Sequence, residues 1–187
     1  MNFSENVRSA IVDPEIFWRK QTEFADTLEI LRYSFAISFF AFAGFLFNYT
    51  ITGQIWNLWP FEHTTLTVGR AIPCAILHWV LYATFPLSST FFIDATISRK
   101  SSPEESKQRL IITAYALTPL CLSLLFIGAP FLNQALVTLG IAIFLYSLFY
   151  GYRIILNQTI LRSFFMTLAT YVFYEILRNV FVYVIGF

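Results

Sequence analysis

The chain has 187 residues, of which 57% are hydrophobic, 19% aromatic and only 12% charged, and its mean hydropathy is +0.65. A soluble domain carries roughly 25% charged residues, and 22 phenylalanines would set large aromatic patches against water, so a single small water-soluble domain is excluded. The formal net charge of +1, with no basic stripe to neutralise phosphates, excludes a nucleic-acid partner.

Residues 1–32 carry Glu5, Asp13, Glu15, Glu23, Asp26 and Glu29 before any apolar core begins, so they are no cleavable signal peptide and the N-terminus is expected to be kept. Asp13-Pro14 places a cap before a proline-started turn, and Phe17, Trp18, Phe24, Leu28 and Leu31 recur at roughly helical spacing. An amphipathic segment of this kind lies on a membrane surface or against a bundle.

From residue 33 onward the pattern predicts an all-α, polytopic membrane bundle of five transmembrane helices, because about 20 apolar residues at 1.5 Å rise cross a hydrocarbon core of about 30 Å. The predicted spans are 33–51, 71–93, 110–127, 134–150 and 161–187. Trp56, Trp59 and Phe61 follow the first at interfacial positions, and Pro60 ends it. His78 falls in the outer half of the second, Pro86 in its interior and Asp94 at its far end. Ser102-Pro103-Glu104-Glu105 caps the helix that leads into the third, which contains Thr118-Pro119. A short turn around Gly128, Pro130 and Asn133 joins the third to the fourth as a tight hairpin. Pro86 and Pro119 are expected to bend their helices and free backbone carbonyls, with Thr84 or Thr118 helping to satisfy local backbone groups, and Gly140 and Gly151 to allow close helix contact.

Basic residues set the expected orientation. Arg8, Arg19, Lys20 and Arg32 precede the first span, Arg99, Lys100, Lys107 and Arg109 lie between the second and third, and Arg153 and Arg162 between the fourth and fifth. Only Arg70 falls on the other side. The positive-inside rule then places the N-terminus in the cytoplasm and, with five spans, the C-terminus outside.

Glu175 and Arg178 are the least expected residues, since ionisable groups in hydrocarbon are costly and usually pair or line a polar path. Three positions apart, they share a helix face. Counted from the outer helix ends, His78 lies roughly 10 Å and Glu175 roughly 18 Å inward, and Asn48 falls in the same half. Asn48, His78, Glu175 and Arg178 are therefore a predicted buried polar cluster, in which His78 either donates to Glu175 as a proton-sensitive pair or makes a simple helix-tying hydrogen bond. At the opposite end Asp94 is expected close in depth to Arg99, Lys100 and Arg153, either in an interfacial ion pair or in a cytoplasmic partner-binding surface.

Chemistry of other kinds has little support. The sequence holds no phosphate-binding glycine loop, zinc-protease motif or hydrolase nucleophile elbow. Its two histidines, His63 and His78, lack a second ligand at convincing spacing, and Cys74 and Cys121 sit in apolar runs as buried thiols. No metal, cofactor or catalytic residue is expected; a lipid-modifying enzyme would need a nucleophile or metal that the sequence does not reveal.

Asp13-Pro14 with the aromatic segment after it, five closely spaced spans, and Ala114-Tyr115-Ala116-Leu117-Thr118-Pro119 early in the third resemble the Yip1 domain family, especially its small bacterial inner-membrane members. The resemblance extends from about residue 10 to 187. It implies a multispan protein of the inner (cytoplasmic) membrane with a cytoplasmic N-terminus; eukaryotic relatives are associated with early secretory membranes and small GTPases. No catalytic residue comes with it. A non-enzymatic membrane scaffold or accessory protein is the leading expectation, and a small-molecule or ion transporter using the outer polar cluster is the alternative. Membrane lipids surround the chain in either case, with self-association or a membrane-protein partner through an apolar face.

Overall fold

The structure, a computed structural model, describes residues 12, 14–20, 26–52, 66–97, 102–127, 129 and 132–185. Trp56, Trp59, Pro60, Phe61, His63, Arg99 and Lys100 lie outside the described residues, as do Asp13 and Phe24. Helices α1 (Pro14–Lys20), α2 (Thr27–Phe47), α3 (Val68–Thr96), α4 (Pro103–Ala116), α5 (Thr118–Leu124), α6 (Asn133–Ile154) and α7 (Ile160–Ile185) follow one another, with one wider π-type turn, Asn48–Thr52, continuing α2. The result is an all-α, multi-spanning bundle. Among the described residues four helices are long and apolar enough to cross a membrane: Thr27–Ile51, Val68–Thr96, Asn133–Ile154 and Ile160–Phe181.

Polar end signals explain why helices start before their apolar runs. Asp26 accepts from Thr27 N–H at 2.7 Å while Glu29 reaches back to the Asp26 N–H, a reciprocal capping box. Hydropathy alone begins at Tyr33, one and a half turns late. Ser102 likewise accepts from Glu105 N–H at 3.2 Å, and Pro103 at the first position has no N–H to lose. Asn157 takes a positive φ of 49° after α6, a conformation asparagine tolerates, and the chain turns back into α7.

The third apolar stretch is not one straight helix. Leu117 separates α4 from α5 because Pro119 has no N–H for the Tyr115 carbonyl and the ladder cannot run through. This bend is the one expected at Thr118-Pro119. Of the two threonines, Thr84 donates to a local backbone group, the Val80 carbonyl, at 2.7 Å, as expected, while the Thr118 hydroxyl meets the Tyr33 hydroxyl of α2 at 2.5 Å.

Helices α4 and α5 occupy the centre, with every residue from 109 to 121 buried. Helices α2, α3 and α6 pack around them, α7 closes the ring between α3 and α6, and α1 lies across α6. Three glycines set the spacing. A Cβ on Gly44 of α2 would stand 1.9 Å from the Leu124 carbonyl oxygen, one on Gly140 2.2 Å from Ser123 Oγ, and one on Gly151 2.6 Å from Ile112 Cγ2. Backbone of α2 thus touches backbone of α5, a closeness only a missing side chain permits.

The N-terminal helix belongs to the bundle. Phe17 and Trp18 are buried, and Trp18 Nε1 donates to the Ser147 carbonyl of α6 at 3.0 Å. Phe17, Trp18, Tyr33 and Tyr115 form one aromatic cluster, with Tyr33 and Tyr115 centroids 4.4 Å apart. On the outside, Phe35, Phe39, Phe47, Phe91, Phe164 and Phe165 stay uncovered by protein, as a lipid-facing surface requires.

Candidate functional site

Two groups of ionisable side chains lie at opposite ends of the bundle. At the first, Asp94 near the end of α3 meets Arg109 of α4, Nη2 to Oδ1 at 2.5 Å. Ser106, one turn before Arg109, donates to Asp94 Oδ2 at 2.7 Å, and Glu105 lies 4.0 Å from Nη1. The cap at Ser102 sets the register: Pro103 to Glu105 form the exposed first turn, and Arg109, four residues after Glu105, points inward. The Arg109 side chain is only 3% exposed. Its Nε has no hydrogen-bond partner, and the short Nη2 contact is an ion pair out of hydrogen-bonding alignment. Beside it a recess of about 350 Å³ is lined by Thr27, Leu87, Phe91, Asp94, Ser106 and Lys107.

This differs in partner from the sequence expectation. Asp94 is paired across helices with Arg109, Arg153 is exposed on α6 and makes no described ion pair, and Arg99 and Lys100 lie outside the described residues. By sequence Arg109 belongs with the loop cations, whereas the structure turns it inward. The signal was present: Arg109 follows Glu105 by one turn and immediately precedes an apolar run.

At the other end the residues of the predicted cluster divide into two groups. His78 stacks on Phe45 with centroids 3.8 Å apart, and Phe181 approaches it edge-on at 5.6 Å. Its Nδ1 lies 2.9 Å from the Cys74 carbonyl; a carbonyl only accepts, so Nδ1 carries the proton and donates. Of α7, it is Phe181 that faces the imidazole, and no hydrogen bond or ion pair joins His78 to Glu175. Asn48 is buried where α2 passes into the π-type turn, between Phe45 and Tyr49, both in ring contact with His78. Glu175 and Arg178 pair with each other at 2.7 Å, side chains 24% and 14% exposed. Pairing neutralises both charges where water is scarce.

Between the two ends the interior is tied by hydroxyls. Tyr82 of α3 and Tyr174 of α7 meet at 2.9 Å, and Tyr152 of α6 meets Thr170 of α7 at 2.9 Å. Since Thr170 already donates to the Met166 carbonyl at 2.8 Å, Tyr152 is the donor in its pair. Phe92 and Phe173 stack at 4.4 Å and an interplanar angle of 7°. Ser163, Thr167, Thr170 and Tyr174 recur at helical spacing on one face of α7, a polar stripe in an apolar helix that sequence inspection could have singled out.

Among the described residues no three His, Cys, Asp or Glu side chains gather as a metal-binding group. Comparison with protein-family models, with curated proteins and with solved structures finds no match to this chain. Its function is therefore argued from its own geometry.

Proposed function

We propose that the chain is a non-enzymatic scaffold or accessory protein of the Yip1 domain type in a bacterial inner membrane, with five crossings, α4 and α5 together forming the third. The N-terminus lies in the cytoplasm, the C-terminus outside, and the Asp94–Arg109 end faces the cytoplasm. The single observation that carries this reading is how the buried and half-buried ionisable groups are used. Asp94 ties α3 to the central helix through Arg109, and Glu175 is neutralised by Arg178 on its own helix. The hydroxyl pairs tie α7 to α3 and to α6. Charges spent on internal ties favour a rigid body that presents its surfaces to partners over a path that loads and releases an ion. Lys107, Arg153 and Arg162 form the basic cytoplasmic side offered to a partner, and by sequence Arg99 and Lys100 belong to the loop that precedes Lys107.

Proteoliposome flux measurements separate this role from transport. Vesicles holding the wild-type chain are expected to leak protons and small cations no faster than protein-free vesicles. A flux above that background that Glu175→Gln abolishes refutes the scaffold reading. Arg99→Glu with Lys100→Glu is expected to release a co-purifying membrane partner without changing the bundle's thermal stability.

A further inference from the structure

An apolar groove of about 260 Å³ runs between α6 and α7 on the lipid-facing side, walled by Leu145, Tyr146 and Phe149 on one helix and Phe164, Leu168 and Tyr171 on the other. From Phe164 to Tyr171 it extends roughly 10 Å along the helix axis at 1.5 Å per residue. Its α6 wall continues into a charge. Tyr146, Phe149 and Arg153 follow one another at i, i+3 and i+7, so Arg153 stands on the groove face one turn beyond Phe149, at the end where the α6–α7 turn reaches the membrane surface. Arg153 is exposed and has no described ion pair, and Arg162, also exposed, lies at the same level in the first turn of α7. From Asn133 to Tyr174 the sequence contains no aspartate or glutamate. The mouth of the groove is therefore cationic at Arg153, with no carboxylate on either helix before Glu175, which is paired with Arg178. Arg162, two residues before Phe164, is turned to another face of α7 and adds charge from the same end, and the α7 N-terminus adds its partial positive charge there.

We propose that this groove binds an anionic phospholipid of the cytoplasmic leaflet, one acyl chain lying between Phe149 and Phe164 and the headgroup phosphate held at Arg153, with Arg162 adding to the field. A zwitterionic lipid has no carboxylate at the mouth to receive its cationic end. A second copy of the chain seated symmetrically on the groove would bring another Arg153 and Arg162 against the first pair, and like charges repel. The site is independent of whether the protein acts as a scaffold.

The test is the full chain reconstituted in phosphatidylcholine vesicles with trace spin-labelled phosphatidylglycerol or spin-labelled phosphatidylcholine, reading the motionally restricted fraction of each. Wild type is expected to select phosphatidylglycerol, and Arg153→Gln to lower that selectivity about five-fold, the factor that corresponds to roughly 1 kcal/mol per basic residue at a membrane surface. Leu168→Trp, which fills the groove, is expected to reduce restricted lipid of both kinds. Equal retention of the two lipids by wild type, or selectivity unchanged in Arg153→Gln, overturns the proposal. So does efficient disulfide cross-linking between copies through Phe164→Cys, which would place another chain in the groove. Arg153→Gln alters an exposed side chain, so its folded state, checked by gel filtration, keeps the test decisive if Leu168→Trp fails to fold.

Discussion

Replacing Asp94 by asparagine is expected to destabilise the bundle by about 3–5 kcal/mol, the usual cost of removing one partner of a buried ion pair. The size follows from what remains. The Arg109 side chain is 3% exposed, its Nε already lacks a hydrogen-bond partner, and Glu105, 4.0 Å away and 49% exposed, is too distant and too well solvated to replace a carboxylate in contact. Asparagine retains an oxygen for the Ser106 hydroxyl, so the loss reports charge rather than shape. The matching double replacement, Asp94→Leu with Arg109→Met, removes both charges and is expected within about 1 kcal/mol of wild type or above it. Reversible unfolding in mixed detergent micelles, followed by helical circular dichroism, measures all of these. If Asp94→Asn stays within about 1 kcal/mol of wild type, the cost of a surface pair, then Arg109 reaches water along its own stem and the pair is not the tie described above. A double variant as unstable as the sum of its singles would equally show that Asp94 and Arg109 are not coupled.

Three further outcomes test the packing. Gly44→Ala must separate α2 from the Leu124 carbonyl and is expected to cost about 1–3 kcal/mol, whereas Gly69→Ala, with nothing within 4 Å of its new methyl, should leave the unfolding midpoint unchanged or raise it. Trp18→Phe removes the hydrogen bond to the Ser147 carbonyl while keeping a ring in the cluster, with an expected loss of about 1 kcal/mol; limited proteolysis would show α1 released from α6 at lower denaturant. A double-mutant cycle on Tyr82→Phe and Tyr174→Phe is expected to return a coupling near 0.6 kcal/mol, typical of hydrogen bonds between membrane helices, and a coupling indistinguishable from zero would mean that the 2.9 Å contact holds nothing together.

Much of the architecture could be read before any coordinates. Residue ranges 33–51, 71–93, 134–150 and 161–187 each fall largely within a long helix, because apolar length is what a hydrocarbon layer demands. The bend at Thr118-Pro119 and the close contacts at Gly140 and Gly151 follow from local chemistry, a missing N–H and missing side chains. Hydropathy places the start of α2 late because its first turn is polar, although Asp26 and Glu29 announce it in a capping box. Glu175 and Arg178 pair within one helix, so their spacing was enough to suggest the contact.

Composition and periodicity alone determined that this chain is a multi-spanning membrane protein, which of its stretches are apolar enough to cross, and which charges are out of place there. Tertiary structure alone decided that α4 and α5 lie at the centre, that Asp94 takes Arg109 as its partner, and that His78 faces Phe45 and Phe181. The physical reason is that lipid tails are as apolar as leucine, so a hydropathy pattern says which segments leave water but not which of their faces meet protein. That choice rests on shape, on glycines placed against carbonyls and on hydroxyls placed against hydroxyls, and these relations exist only between helices.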